Sequence, residues 1–104
     1  MQLTVLAVPG CPNAPVLEQR LAGLLAGRAE VRLTRRVTAD PAEAERWGMR
    51  GSPTLLVDGR DAFAGPGPGL ALACRLYPDG AGGLDGVPPV AALREVLERA
   101  DERD

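Results

Sequence analysis

The sequence predicts an α/β fold with the element order β-α-β-α-β-β-α, and three observations support it. Residues 3–8 form a nearly continuous apolar run of strand length, which is typical of a strand buried on both faces. Asp40-Pro41 is a helix-start signature that follows a second, alternating strand pattern. Residues 54–57 are apolar and β-prone, and Asp58-Gly59 ends them with a turn signal.

Length and composition indicate one domain spanning residues 1–104. The chain is 45% apolar and 25% charged, and its net charge of −2 is interspersed, so neither nucleic acid nor an anionic membrane is an expected partner. The absence of histidine removes the commonest metal ligand, and two distant cysteines alone predict no metal site. Because no signal peptide or apolar span is visible, we expect a cytoplasmic protein with reduced thiols.

Capping residues and apolar spacing predict the first two helices. The first is expected to use Cys11 or Asn13 as its N-cap and to end at Gly27. The second is expected to run from Asp40-Pro41 to Trp47-Gly48, with Trp47 anchoring it to the sheet and substrate stacking as the alternative role. The apolar stripe of the first helix consists of Val16, Leu17, Leu21, Leu24 and Leu25.

Between these helices, residues 30–38 alternate and predict a half-buried strand at a sheet edge. Val31, Leu33 and Val37 are expected to face the core. Arg32, Thr34 and Arg36 are expected on the opposite side. The arginine cluster of this strand is interpreted as a solvated edge, with anion binding as the alternative. These arginines are Arg32, Arg35 and Arg36.

The last third of the chain is predicted from weaker patterns. Residues 70–77 alternate and predict a fourth strand, and the glycine- and proline-rich residues 78–89 predict a hairpin with a short return strand. A final amphipathic helix should precede a solvated tail at residues 101–104. Its apolar positions are Val90, Leu93, Val96, Leu97 and Ala100.

The stretch Gly51-Ser52-Pro53-Thr54, together with Cys11-Pro12 after the first strand, resembles the thioredoxin superfamily. This resemblance implies a four-stranded mixed sheet in the order 2-1-3-4. It also implies a cis Ser52–Pro53 bond that faces Cys11 at the start of the first helix. Pro12, Ser52, Pro53 and Thr54 are then the expected substrate-binding residues, along a backbone edge where an extended peptide could pair.

Cys11 is the candidate catalytic residue, because backbone amides at a helix start favour a thiolate over a thiol. A dithiol thioredoxin has its second cysteine where this chain has Ala14, so the resemblance is to a monothiol variant. Cys74 is the possible second thiol. In a 2-1-3-4 sheet, however, its strand would lie about 9–10 Å from the first, beyond the roughly 4.4–6.8 Å between the Cα atoms of a disulfide.

The same cysteine and Pro-Thr motifs, with Cys74-Arg75-Leu76-Tyr77, are also similar to small thioredoxin-like proteins grouped with organomercurial lyases. That enzyme family grips mercury with two cysteines and protonates the leaving carbon with an aspartate. The corresponding acid is absent here, since Ala14 stands three residues after Cys11. Two thiolates could still bind a soft metal if the fold brings them together.

From these residues we predict a thiol–disulfide oxidoreductase that acts through Cys11. The expected partners are protein or small-molecule thiols and disulfides, with glutathione or another thiol as electron donor and with no bound cofactor. Two alternatives are a non-catalytic module that binds a peptide or ligand at Pro53 and a mercury-handling protein. The oligomeric state is left open.

Overall fold

A strand buried on both faces lies at the centre of the fold, as the apolar run at residues 3–8 predicts. The computed structural model describes residues 1–63, 71–74, 76–78 and 81–103. Its helices are Asn13–Leu25 (α1), Pro41–Trp47 (α2) and Val90–Arg103 (α3). Its strands are Gln2–Ala7 (β1), Arg32–Val37 (β2), Arg50–Ser52 (β3), Thr54–Val57 (β4), Arg60–Asp61 (β5), Ala71–Cys74 (β6), Tyr77–Pro78 (β7) and Leu84–Asp85 (β8).

The main sheet confirms an α/β fold with four mixed strands, in the order β2-β1-β4-β5. β1 runs parallel to β2 and antiparallel to β4, and β4 runs antiparallel to β5. The first three places therefore hold the strands predicted for them. The fourth place holds Arg60–Asp61, so the prediction that residues 70–77 fill it is wrong. Asp58 and Gly59, with φ values of 50° and 85°, turn the chain straight back onto β4.

The predicted fourth strand pairs elsewhere. The backbone of Ala71–Cys74 (β6) runs parallel to β3, and Cys74 is the register partner of Ser52. Tyr77–Pro78 and Leu84–Asp85 form an antiparallel pair, which confirms the predicted hairpin with a short return strand. Leu70 and Arg75 lie outside the described residues.

Apolar clusters lie on both faces of β1. On one face, Leu3 and Val5 pack with residues of β4, α1 and α3; on the other, Leu6 packs with residues of β4 and α2 and with Met49. Because both faces of β1 are buried, its sequence is a nearly continuous apolar run rather than an alternation of apolar and polar residues. The larger cluster consists of Leu3, Val5, Ala7, Ala14, Leu17, Leu21, Leu55, Val57, Val87, Leu93, Leu97 and Ala100.

β2 lies at the edge of the sheet as predicted, but it is not half-buried. All six of its residues are exposed, and Leu33 and Val37 retain 36% and 52% of their accessible surface. Among the strands that the structure describes, only β1 flanks β2, and two of its exposed arginines, Arg35 and Arg36, also contact neighbouring helices. The Arg36 guanidinium lies 4.3 Å from the centre of the Trp47 ring, which itself packs on the smaller cluster.

The helix boundaries confirm the predicted start of α2 and correct the predicted cap of α1. α2 begins as predicted, since the Asp40 carboxylate accepts a hydrogen bond from the Ala42 amide at 2.9 Å. α1, in contrast, is capped at Pro12 without a side-chain hydrogen bond, because Asn13 is already its first residue. The predicted stripe of α1 is also too wide, since Val16 keeps 37% of its surface.

α3 continues through residues 101–103, which the sequence analysis assigned to a solvated tail; Asp104 lies outside the described residues. The Arg28 guanidinium lies 2.7 Å from the Asp101 carboxylate and holds the last turn of α3 against the turn between α1 and β2. None of the helices in the described ranges is long and apolar enough to cross a membrane.

Candidate functional site

The Ser52–Pro53 bond is cis, as predicted, and the residues around it are buried. Ser52 and Thr54 are fully inaccessible, and Pro53 keeps less than 2% of its surface. The Thr54 hydroxyl donates to the Gly51 carbonyl at 2.5 Å and accepts from the Arg50 amide at 3.3 Å. The Thr54 side chain therefore stabilises the backbone of Arg50 and Gly51, on the N-terminal side of Pro53.

Cys11 lies beside this loop because both are tied to Val8. The Val8 amide donates to the Ser52 hydroxyl at 3.0 Å, and the Val8 carbonyl accepts from the Cys11 amide at 3.2 Å. Cys11 comes directly before the Pro12 cap of α1, so it is at the helix start that the sequence predicts. It is a partly buried, free cysteine that packs against the larger apolar cluster, whereas Pro12 is exposed.

A charged pair that the sequence analysis did not find lies close to Cys11. The Arg35 Nε and Nη2 atoms donate to the two carboxylate oxygens of Glu18, each at 2.6 Å. This hydrogen-bonded pairing raises the pKa of Arg35, and the negative charge of a Cys11 thiolate raises it further. The positive charge of Arg35 therefore acts on the sulfur of Cys11.

We therefore predict that Arg35→Gln slows alkylation of Cys11 by iodoacetamide at neutral pH, by about two- to fivefold for a screened pair of charges. Glu18→Gln is the matched variant. It removes the carboxylate that competes for the guanidinium and should leave the rate unchanged or raise it. Labelling followed by mass spectrometry gives both rates. Equal slowing in the two variants would mean that the pair acts only by holding α1 against β2.

The chain itself covers the proline loop. β6 pairs with β3 at Ser52, and the buried Tyr77 donates its hydroxyl hydrogen to the Pro53 carbonyl. The Tyr77 ring also meets the edge of Phe63, with the ring centres 5.3 Å apart. The edge on which an extended peptide was expected to pair is thus already paired at Ser52. A peptide that binds there in the same way has to displace β6.

The position of β6 changes the argument about the second cysteine. The separation expected for Cys74 assumed that its strand lies in the main sheet, two strands from β1. Its backbone instead lies beside Ser52, which the Val8 hydrogen bond connects to the Cys11 loop. The backbone of Cys74 therefore lies next to the Cys11 loop instead of two strands away from β1 in the main sheet.

Comparison with family models, curated proteins and solved structures found no match to this chain. Among the side chains that the structure describes, no group of three histidine, cysteine, aspartate or glutamate residues could hold a metal ion.

Proposed function

We propose that this chain is a thioredoxin-like protein that carries out thiol–disulfide exchange through Cys11. The strongest support is the connection through Val8, which holds the Cys11 loop and the cis-proline loop together at one end of the sheet. The order β2-β1-β4, with Pro53 immediately before β4, also supports a thioredoxin-like arrangement. Ligand sites are common where the carboxyl ends of parallel strands meet a helix start.

In the proposed reaction, the Cys11 thiolate attacks one sulfur of a substrate disulfide. A Cys11–substrate disulfide forms, the substrate S–S bond breaks, and the departing sulfur leaves as a thiolate that takes a proton from water. The positive charge of Arg35 and the positive end of the α1 dipole attract the attacking thiolate. The substrates are protein or small-molecule disulfides in a cytoplasmic setting, and glutathione or another thiol supplies the electrons.

Reaction with glutathione disulfide tests this proposal. Cys11 should form a mixed disulfide about tenfold faster, or more, than a free cysteine thiol at pH 7, because thiolate is the reacting form. Cys11→Ser should abolish the reaction, and Glu45→Gln on the exposed surface serves as a control that should leave the rate unchanged. A folded protein whose Cys11 reacts no faster than free cysteine would refute the proposal.

Two alternatives predict different results for the cysteine variants. A module that binds a peptide or ligand at Pro53 needs no reactive thiol, so Cys11→Ser should leave its binding intact. A mercury-handling protein needs two thiols, and the placement of Cys74 beside Ser52 is the observation that favours it. It predicts stoichiometric binding of Hg²⁺ that both Cys11→Ser and Cys74→Ser abolish.

A further inference from the structure

Both cysteines lie at the same end of the fold. β1, β3 and β6 end at Ala7, Ser52 and Cys74, and the Cys11 loop follows β1 directly. β3 and β6 are parallel, and Ser52 and Cys74 are register partners, which places their backbones about 5 Å apart. Ser52 is in turn hydrogen-bonded to Val8, three residues before Cys11.

The end of β6 at Cys74 lies at the site of the proposed reaction. In the proposed reaction, an incoming disulfide has to approach Cys11 beside the cis-proline loop. The chain places its own strand on that loop, with a cysteine at the position paired to Ser52. The Tyr77 hydrogen bond to the Pro53 carbonyl holds the following residues there as well. Cys74 therefore occupies the backbone position that a substrate strand paired with Ser52 would take.

We propose that Cys74 is the resolving thiol of this protein and forms a reversible disulfide with Cys11. The inference rests on the proposed function, and it supplies the second thiol that Ala14 does not. The Cys74 thiolate attacks the Cys11 sulfur of the mixed disulfide, so that the Cys11–Cys74 bond forms and the Cys11–substrate bond breaks. The second substrate sulfur leaves as a thiolate and is protonated by water. The substrate disulfide gains two electrons, the two protein thiols lose them, and an external thiol later restores both.

Glutathione disulfide distinguishes one reacting thiol from two. The wild-type protein should release two glutathione molecules and retain none, because Cys74 displaces the one bound to Cys11. Cys74→Ser should release one and keep the other on Cys11. Cys74→Ala gives a second variant for the same comparison, and far-ultraviolet circular dichroism checks that both fold. The retained adduct on Cys11 should last at least tenfold longer in these variants than in wild type.

Peptide mapping identifies the bond directly, because the chain can be cut by trypsin between the cysteines. Cleavage after Arg20 releases peptide 1–20 with Cys11, and cleavage after Arg60 and Arg75 releases peptide 61–75 with Cys74. Oxidised wild-type protein should yield these two peptides joined, with the intact mass lower by two hydrogen atoms. The yield should not change on dilution, since the bond forms within one chain.

The outcomes separate this inference from the proposed function. If wild type keeps glutathione on Cys11 as long as Cys74→Ser does, or links the cysteines only between chains, the inference is wrong and exchange at Cys11 stands. If Cys11 takes up no glutathione even in Cys74→Ser, the proposed function itself fails. Oxidised Cys11→Ser can join only two copies of peptide 61–75. If the same product dominates in oxidised wild type, the cysteines bond between chains and the inference is wrong.

Discussion

In a Cys74→Ser background, Ala14→Cys should place a second thiol on α1 and should raise the reduction of a protein disulfide such as insulin by about tenfold or more over Cys74→Ser alone. Ala14 is the second residue of α1 and is buried, while Pro12 already has helical angles of φ −72° and ψ −17°. Residues three apart on a helix have Cβ atoms about 5–6 Å apart, so their Cα atoms fall within the range of a disulfide. The introduced thiol displaces substrate from Cys11 at an effective concentration of about mM or higher.

Val16→Cys is the matched control, because this residue lies on the same helix but is 37% exposed. In the same Cys74→Ser background it should form no bond with Cys11 and should leave insulin reduction at the level of Cys74→Ser. Both variants are compared by turbidity during reduction and by peptide mapping in a redox titration. If Ala14→Cys forms no bond under oxidising conditions, Cys11 is not positioned as at a helix start. If the bond forms and reduction does not rise, the non-catalytic binding module becomes the better interpretation.

The parts of the fold that were predicted correctly depend on local patterns. Asp40 and Pro41 specify the start of α2, because a cap and a first-turn proline act within a single turn. The apolar run at residues 3–8 likewise predicts β1 from the residues of the strand itself, because both of its faces are buried. In each case the residues that determine the element are also the residues that form it.

The fourth strand was misplaced because strand partners are set by contacts between distant residues. The Asp58-Gly59 signal for a hairpin was present in the sequence, but the strand it introduces, Arg60–Asp61, is too short to show an alternation. The alternation at residues 70–77 correctly predicted that a strand forms there, since residues 71–74 form β6. Its partner is the three-residue β3, which the preceding glycines made look like a loop.

Some residues of the candidate site can likewise be predicted from local motifs, whereas others depend on contacts between distant parts of the chain. Cys11, Ser52 and Pro53 could be found from their motifs, since a cysteine at a helix start and a proline before a strand are short patterns. Arg35 and Glu18 could not, because they are 17 residues apart and meet only when β2 packs beside α1. The burial of Ser52 by the chain's own β6 also depends on a distant pairing that no local pattern reveals.

Tyr77→Ala should lower the free energy of unfolding by about 3–5 kcal/mol, the usual cost of removing a large buried ring. Tyr77 keeps only 2% of its accessible surface, contacts Phe63 and donates to the Pro53 carbonyl. Since a small domain has only about 5–15 kcal/mol in total, this loss should be visible as a lower midpoint in urea. The larger consequence is local, because Tyr77 holds the residues after β6 on the proline loop.

Two further substitutions distinguish the contribution of the Tyr77 ring to stability from the contributions of its hydroxyl and of the hairpin. Tyr77→Phe keeps the ring and removes only the donor to Pro53, so it should cost about 1–3 kcal/mol. Leu84→Ala lies on the paired strand of the hairpin but is 65% exposed, and its effect should stay within about 0.5 kcal/mol. Hydrogen exchange at the β6 amides should rise in the order Leu84→Ala, Tyr77→Phe, Tyr77→Ala, and release of the second glutathione should slow in that order. If Tyr77→Ala unfolds more easily while β6 exchange and glutathione release stay at wild-type values, Tyr77 serves the core alone and β6 is held on Ser52 by other contacts.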